Sequence, residues 1–170
     1  MPDAPGLELI RGEVEQILPG AVLDTGFDHG SASLVVDPAQ ILGVLGWLRE
    51  SAGQEYSFLS SLHVADYLPA EPRFGIHYEL LNRDRVERLR VKAMLPGTEA
   101  LPEIDSCVEL FPTANYQERE AYDFFGIVFR GHPELTRILL PDDYVGWPQR
   151  RDFPIGGEPV TFTYNERQYG

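Results

Sequence analysis

Between Phe74 and Leu95 this chain alternates apolar and polar residues twice. Phe74, Ile76, Tyr78 and Leu80 interleave with Gly75, His77 and Glu79, and Leu89, Val91, Ala93 and Leu95 interleave with Arg88, Arg90 and Lys92. Successive side chains of a strand point to opposite faces, so this pattern predicts a half-buried sheet of antiparallel character with one polar face. Asn82-Arg83-Asp84 reads as the turn between the two strands, and a third strand is predicted from roughly Tyr56 to Asp66.

The remaining elements fall around this sheet. Leu7, Ile10, Val14, Ile17 and Leu18 recur at helical spacing until Pro19-Gly20 stops them. Ala21–Leu23 and Ser33–Val36 read as short strands about a turn at Asp28-His29-Gly30. Asp37 as N-cap, Pro38 as first helical residue and Gln40 at the capping-box position predict a second helix, with Ile41, Leu42, Val44, Leu45 and Leu48 as its apolar stripe. The order so far is α-β-β-α-β-β-β. Beyond Pro96-Gly97, Ile104, Val108 and Phe111 predict a short helix. Another starts near Asn115, with Glu118 as capping-box partner, and ends at Gly126.

From about residue 130 periodicity fades. Pro133, Pro141, Pro148, Pro154 and Pro159 recur too often for long helices, since interior proline removes a donor and clashes with the preceding turn. Yet Ile138, Leu139, Leu140, Tyr144, Trp147 and Phe153 make the segment too apolar for a disordered tail. An extended arm is expected that buries these groups in part on its own domain and more on a partner. The division is a domain over 1–128 and an arm over 129–170.

Composition removes several functions. The 170 residues carry 27 acidic against 14 basic side chains, a net charge of −13. Phosphate binding needs the opposite balance, so no nucleic-acid partner is expected, nor broad adsorption to anionic lipid. Cys107 is the single cysteine. It excludes an intrachain disulfide, a cysteine-rich zinc site, and an iron–sulfur cluster held by this chain alone, which takes about four thiolates. The start, MPDAPGLELIRGEVEQ, has no signal-peptide layout, and no window approaches the ~18 apolar residues of a membrane span. Walker and Gly-x-Gly-x-x-Gly loops and the Gly-x-Ser-x-Gly elbow are absent from the sequence.

The candidate site residues lie in 118–154. Glu120 and Asp123 share a helix face at i, i+3, and with His132 they form a conceivable metal set, which would make the chain a stand-alone metalloenzyme. The competing reading is a structural network. In it Arg119 pairs with Asp123 at i, i+4, the glutamates reach distant arginines, and His132, fixed between Gly131 and Pro133, donates to a carbonyl or carboxylate. Arg150-Arg151-Asp152, flanked by Trp147-Pro148 and Phe153-Pro154, reads as a guanidinium pair docked on carboxylates.

Glu118-Arg119-Glu120-Ala121-Tyr122-Asp123, Phe124-Phe125-Gly126-Ile127, Gly131-His132-Pro133 and Arg137-Ile138-Leu139 closely resemble a family signature, as does Gly146-Trp147-Pro148-Gln149-Arg150-Arg151-Asp152-Phe153-Pro154. The family is the 30-kDa subunit (the C subunit, or J in plastids and cyanobacteria) of the proton-pumping NADH:quinone oxidoreductase, respiratory complex I. Departures are Thr136, where many members carry a basic residue, Tyr144 for Trp, Gln149 for Leu and Arg151 for Lys.

The resemblance implies a two-layer α+β domain with a mainly antiparallel sheet, followed by an extended C-terminal arm. It implies a peripheral-arm subunit on the cytoplasmic face of the membrane that carries no cofactor. FMN and iron–sulfur clusters would sit in partner subunits, and membrane attachment would come through those partners. The expected neighbours are the 49-kDa-like D subunit and the iron–sulfur B and I subunits, with the arm wrapping on the 49-kDa-like one. The residues expected to fix domain, arm and partner are Glu118, Arg119, Glu120, Asp123, Gly131, His132, Pro133, Arg137, Trp147, Pro148, Arg150, Arg151 and Asp152. An equivalent subunit of a membrane-bound hydrogenase or formate-oxidising complex is the alternative.

Overall fold

A computed structural model describes residues 2–98 and 100–154. Helix α1 (Ala4–Ile17) starts on Asp3, whose carboxylate accepts the Gly6 N–H at 2.8 Å. It buries Leu7, Ile10 and Val14. Ile17 continues the same spacing but is exposed, because Leu18 takes the core side and packs on Gly43. Strands β1 (Val22–Asp28) and β2 (Ser31–Val36) form a hairpin. His29 and Gly30 close it with φ of 49° and 74°, the double positive φ that suits the twist of two-residue hairpins.

The Asp37 carboxylate accepts the Ala39 N–H at 2.9 Å and opens a 3-10 turn, Pro38–Gln40, that leads into helix α2 (Ile41–Glu50). The expected capping box does not form. The Asp37 N–H is already given to the Ala21 carbonyl, and the Gln40 amide lies at the Pro19 carbonyl instead.

Strands β3 (Phe58–Asp66), β4 (Phe74–Asn82) and β5 (Glu87–Leu95) follow as an antiparallel meander. The five-stranded sheet has the order β1-β2-β5-β4-β3, and only β2–β5 is parallel. The register aligns Leu34 with Val91, Val91 with Tyr78, and Tyr78 with Leu62. These residues lie on one face and share a buried cluster with Leu7, Val14, Val44 and Leu48 of the helices. Helices on one face of a mainly antiparallel sheet make a two-layer α+β domain.

The outward face departs from the half-buried expectation at β4, which is buried on both faces from Phe74 to Tyr78. The covering groups are local side chains. The Tyr67 ring lies over Gly75, where a Cβ would approach it to 2.7 Å. His77 stacks on His63 at 4.9 Å and meets the Tyr67 hydroxyl at 3.1 Å.

Beyond β5 the expected short helix through Ile104, Val108 and Phe111 is replaced by strand β6 (Glu103–Asp105) and turns closed on the Cys107 carbonyl. Strand β6 pairs in parallel with β7 (Val128–Arg130), and helix α3 (Ala114–Phe125) joins them. Glu118 does not cap α3: it faces inward and bonds Ser106 and Cys107. Strand β7 runs across the expected division at 128/129 and into the expected arm. The last part of that arm, 155–170, lies outside the described residues. No helix among the described residues is long and apolar enough to cross a membrane.

Candidate functional site

Helix α3 holds the arm by one carboxylate. Asp123 is fully buried, and its Oδ1 accepts from Arg137 at 2.8 Å. Oδ2 accepts three successive backbone N–H groups, from Ile138 (3.0 Å), Leu139 (2.7 Å) and Leu140 (2.9 Å). Burial pushes the Asp123 carboxyl up, but the Leu140 N–H, Arg137 and the other two N–H groups outweigh it and hold the group below its ordinary range. Arg137 spends its other donors on the carbonyls of Asp123 (3.0 Å), Tyr144 (2.9 Å) and Gly146 (3.3 Å), with the Trp147 ring 4.8 Å away. One guanidinium fork thus folds 137–147 into a closed loop.

A second node joins the arm to the sheet. Arg73, just before β4, bonds Asp66 of β3 at 2.9 and 2.7 Å and Asp152 of the arm at 2.9 and 2.7 Å. Asp66 also accepts the N–H groups of Arg151 (2.8 Å) and Leu68 (3.0 Å). Burial pushes Asp66 up, yet Arg73 and these N–H groups hold it down to about 2. Arg150 and Arg151 were expected on carboxylates, and here the structure corrects the reading. Arg150 donates to the Phe125 carbonyl at 2.7 Å and Arg151 to the Leu68 carbonyl at 2.7 Å. The last carbonyls of a helix lack intrahelical partners, so the end of α3 is a natural acceptor for a cation. At this node the arginine docked on carboxylates is Arg73. Sequence spacing could not expose it, because Asp152 lies 79 residues away.

The other candidates divide. Glu118 is fully buried and accepts from the Ser106 hydroxyl (2.6 Å) and the Cys107 N–H (2.8 Å), not from a distant arginine. Burial pushes its carboxyl up despite these bonds, and pushes the buried Cys107 thiol far up. Arg119 does not pair with Asp123. It reaches the carbonyls of Thr136 (3.2 Å) and Arg137 (3.0 Å) and the Thr136 hydroxyl (3.0 Å), while Arg137 and three backbone N–H groups occupy the Asp123 carboxylate. The Glu134 N–H donates to His132 Nδ1 at 3.0 Å, so Nε2 carries the proton and donates to the Asn115 carbonyl at 3.1 Å. Gly131 makes the bend with φ 81°, and Pro133 is exposed beside it. Asp123 and His132 thus have their donors and acceptors committed, and the conceivable metal set does not assemble. Among the described residues no three His, Cys, Asp or Glu gather as a metal site.

Trp147 and Phe153 were expected to bury in part on their own domain and more on a partner, and each has contacts within the chain that supply the first part. Trp147 lies on Gly126, beside half-buried Pro148, with the Tyr122 ring at 5.3 Å, and Phe153 covers Gly146. Gly126 has φ 69°, and a Cβ there would come within 2.6 Å of the indole. Gly126→Ala is therefore expected to cost about 2–5 kcal/mol, the sum of left-handed strain and overpacking, in urea denaturation. A cost under about 1 kcal/mol would show that the indole gives way freely.

The model of the family described as respiratory-chain NADH dehydrogenase, 30 Kd subunit, matches residues 34–159. The NADH-quinone oxidoreductase C subunit of Herpetosiphon aurantiacus is 45% identical over 141 residues, 83% of this chain and 81% of that protein. The corresponding protein of Roseiflexus castenholzii is 42% identical over 157 residues, 92% of this chain and 89% of that protein. Among solved structures, the trypsin-resistant fragment (1–134) of Nqo5 is similar with a TM-score of 0.62 at 27% identity, covering 76% of this chain and 96% of that one. A chain of the membrane-bound sulfane sulfur reductase, an archaeal respiratory membrane complex, shares the fold with a TM-score of 0.69 at 23% identity, covering 95% and 90%.

Proposed function

Because the chain belongs to the respiratory-chain NADH dehydrogenase 30 Kd subunit family, we propose that it is a structural subunit in the peripheral arm of a proton-translocating NADH–quinone oxidoreductase. The observation that carries the structural role is the use of the site's charges. Asp123, Arg137, Arg73, Asp66 and Asp152 are spent on one another and on backbone groups, so they hold the arm in shape and none of the five is left as a free acid or base. The residues present do not fit an iron–sulfur cluster: the single thiol is buried, where about four thiolates are needed.

On this reading FMN and the iron–sulfur clusters belong to partner subunits. The chain braces the 49-kDa-like D subunit and the iron–sulfur B and I subunits, and it meets the cytoplasmic face of the membrane only through them. The alternative parent is a hydrogenase or formate-oxidising complex, and the fold alone does not choose between parents, since a sulfane sulfur reductase chain has it too. Identities of 42 to 45% to NADH-quinone oxidoreductase subunits favour the NADH-linked parent.

The test is affinity purification through this chain from native membranes. The expected product is a multi-subunit complex that contains iron–sulfur proteins and oxidises NADH with a quinone. A complex that forms but ignores NADH would select the alternative parent. Recovery of the chain alone would overturn the structural-subunit reading.

A further inference from the structure

One carboxylate of α3 takes no part in these bonds. Glu120 is exposed, and among the described residues it has no hydrogen-bond or ion partner. It lines a cleft of about 280 Å³ between α3 and the edge strand β3. Apolar walls come from Val64, Ala121 and Phe124, and Gln117, Gln149 and Ser61 supply neutral polar groups. His63 also borders the cleft, on its exposed side, and partial desolvation shifts its pKa down rather than up. Among the described residues that line the cleft, Glu120 is the one carboxylate, and no lysine or arginine joins it.

The form of the cleft selects its occupant. An added strand is blocked, because the Gln117 side chain accepts the Leu62 N–H and the Thr113 hydroxyl donates to the Leu59 carbonyl at 3.1 Å. The volume lies below the roughly 300–1,000 Å³ of small-molecule sites. It suits one long side chain whose stem lies on apolar walls while its head meets a charge.

We infer that this cleft is a docking pocket for a lysine or arginine of a partner subunit, with Glu120 as its counter-ion. The inference rests on the structural-subunit reading and names a point of contact for it. Charge complementarity sets the sign, since an unpaired carboxylate beside apolar walls recognises a cation and repels acidic segments.

The test introduces Glu120→Arg and Glu120→Gln into the full chain and isolates the complex from native membranes through this chain, with washes of rising salt. Retained partner subunits at high salt are expected to fall about tenfold for E120R and by a smaller factor for E120Q. The full-length variants expressed alone should melt as the wild type does, because no described intrachain bond is lost. A photoreactive residue at Gln149 should crosslink to a partner segment that carries Lys or Arg. Retention of E120R equal to wild type at every salt concentration overturns the pocket. So does a lowered melting temperature of E120Q, which would reveal an intrachain role. If the unsubstituted chain brings down no partner at all, the structural-subunit reading fails, and the pocket with it.

Discussion

Asp123→Ala is expected to release the arm from the domain and to cost about 3–5 kcal/mol, the usual effect of breaking a buried charge pair by removing one partner. The side chain is fully buried, and Arg137 is only 12% exposed, so the orphaned guanidinium gains little from water. Three backbone N–H groups at 138–140 lose their shared acceptor in the same step. Asp123→Asn should also be costly, because one end of its amide presents N–H where Arg137 or the backbone already donates. For a chain of this size the melting temperature should drop by about 6–20 °C. Limited trypsinolysis reports the arm directly: cleavage after Arg137 should become fast in the variant while the domain resists. An unchanged cleavage rate would show that the aromatic contacts hold the arm without the carboxylate. The pH dependence has a fixed sign. The folded carboxyl lies below its unfolded value, so its stabilisation is present above the ordinary carboxylate range and is lost as pH falls through the folded value. D123A should lack that part of the acid transition.

The strands were legible because their information is local. Alternation over 74–80 and 88–95 needs no knowledge of the rest of the chain, and β4 and β5 occupy those residues with small extensions. Strands β6 and β7 have three residues each, too few to display a period, and they were read as helix and as boundary. The parallel pairing of β2 with β5 joins segments far apart in sequence and leaves no local trace. The same limit governs the site. Arg119 at i, i+4 was the nearest cation to Asp123 in sequence, whereas Arg137 reaches it by a chain reversal. Arg73 meets two carboxylates from elements that only tertiary structure brings together. Gly126 carried a signal for more than a helix stop. A residue with positive φ and no side chain offers a flat seat, and the sequence holds Trp147 to fill it.

Arg73→Met should be comparably severe, at about 3–5 kcal/mol, and should reverse the pH response of its node. Arg73 and Asp66 are 9% and 2% exposed, and methionine fills the space of the stem without the charge. Asp66 is then a buried carboxylate supported only by the Arg151 and Leu68 N–H groups. Asp152 behaves differently, since at 51% exposure it can turn to water. Asp152→Ala should therefore cost no more than about 1 kcal/mol. In the wild type the Asp66 carboxyl is held at about 2, below its ordinary 3.8. Its contribution is present above 3.8 and is lost as pH falls toward 2. Burial is the largest influence on Asp66 in the folded chain, so without the guanidinium the folded value is expected to rise above 3.8. A raised carboxyl stabilises the fold below its unfolded value and loses that contribution as pH rises through the folded one. The stability gap between wild type and R73M should therefore narrow as pH falls through the carboxylate range, measured by urea denaturation at a series of pH values. A gap that stays constant, or an Asp152→Ala loss as large as that of R73M, would place the weight of the node on Asp152 and remove Asp66 as its buried anchor.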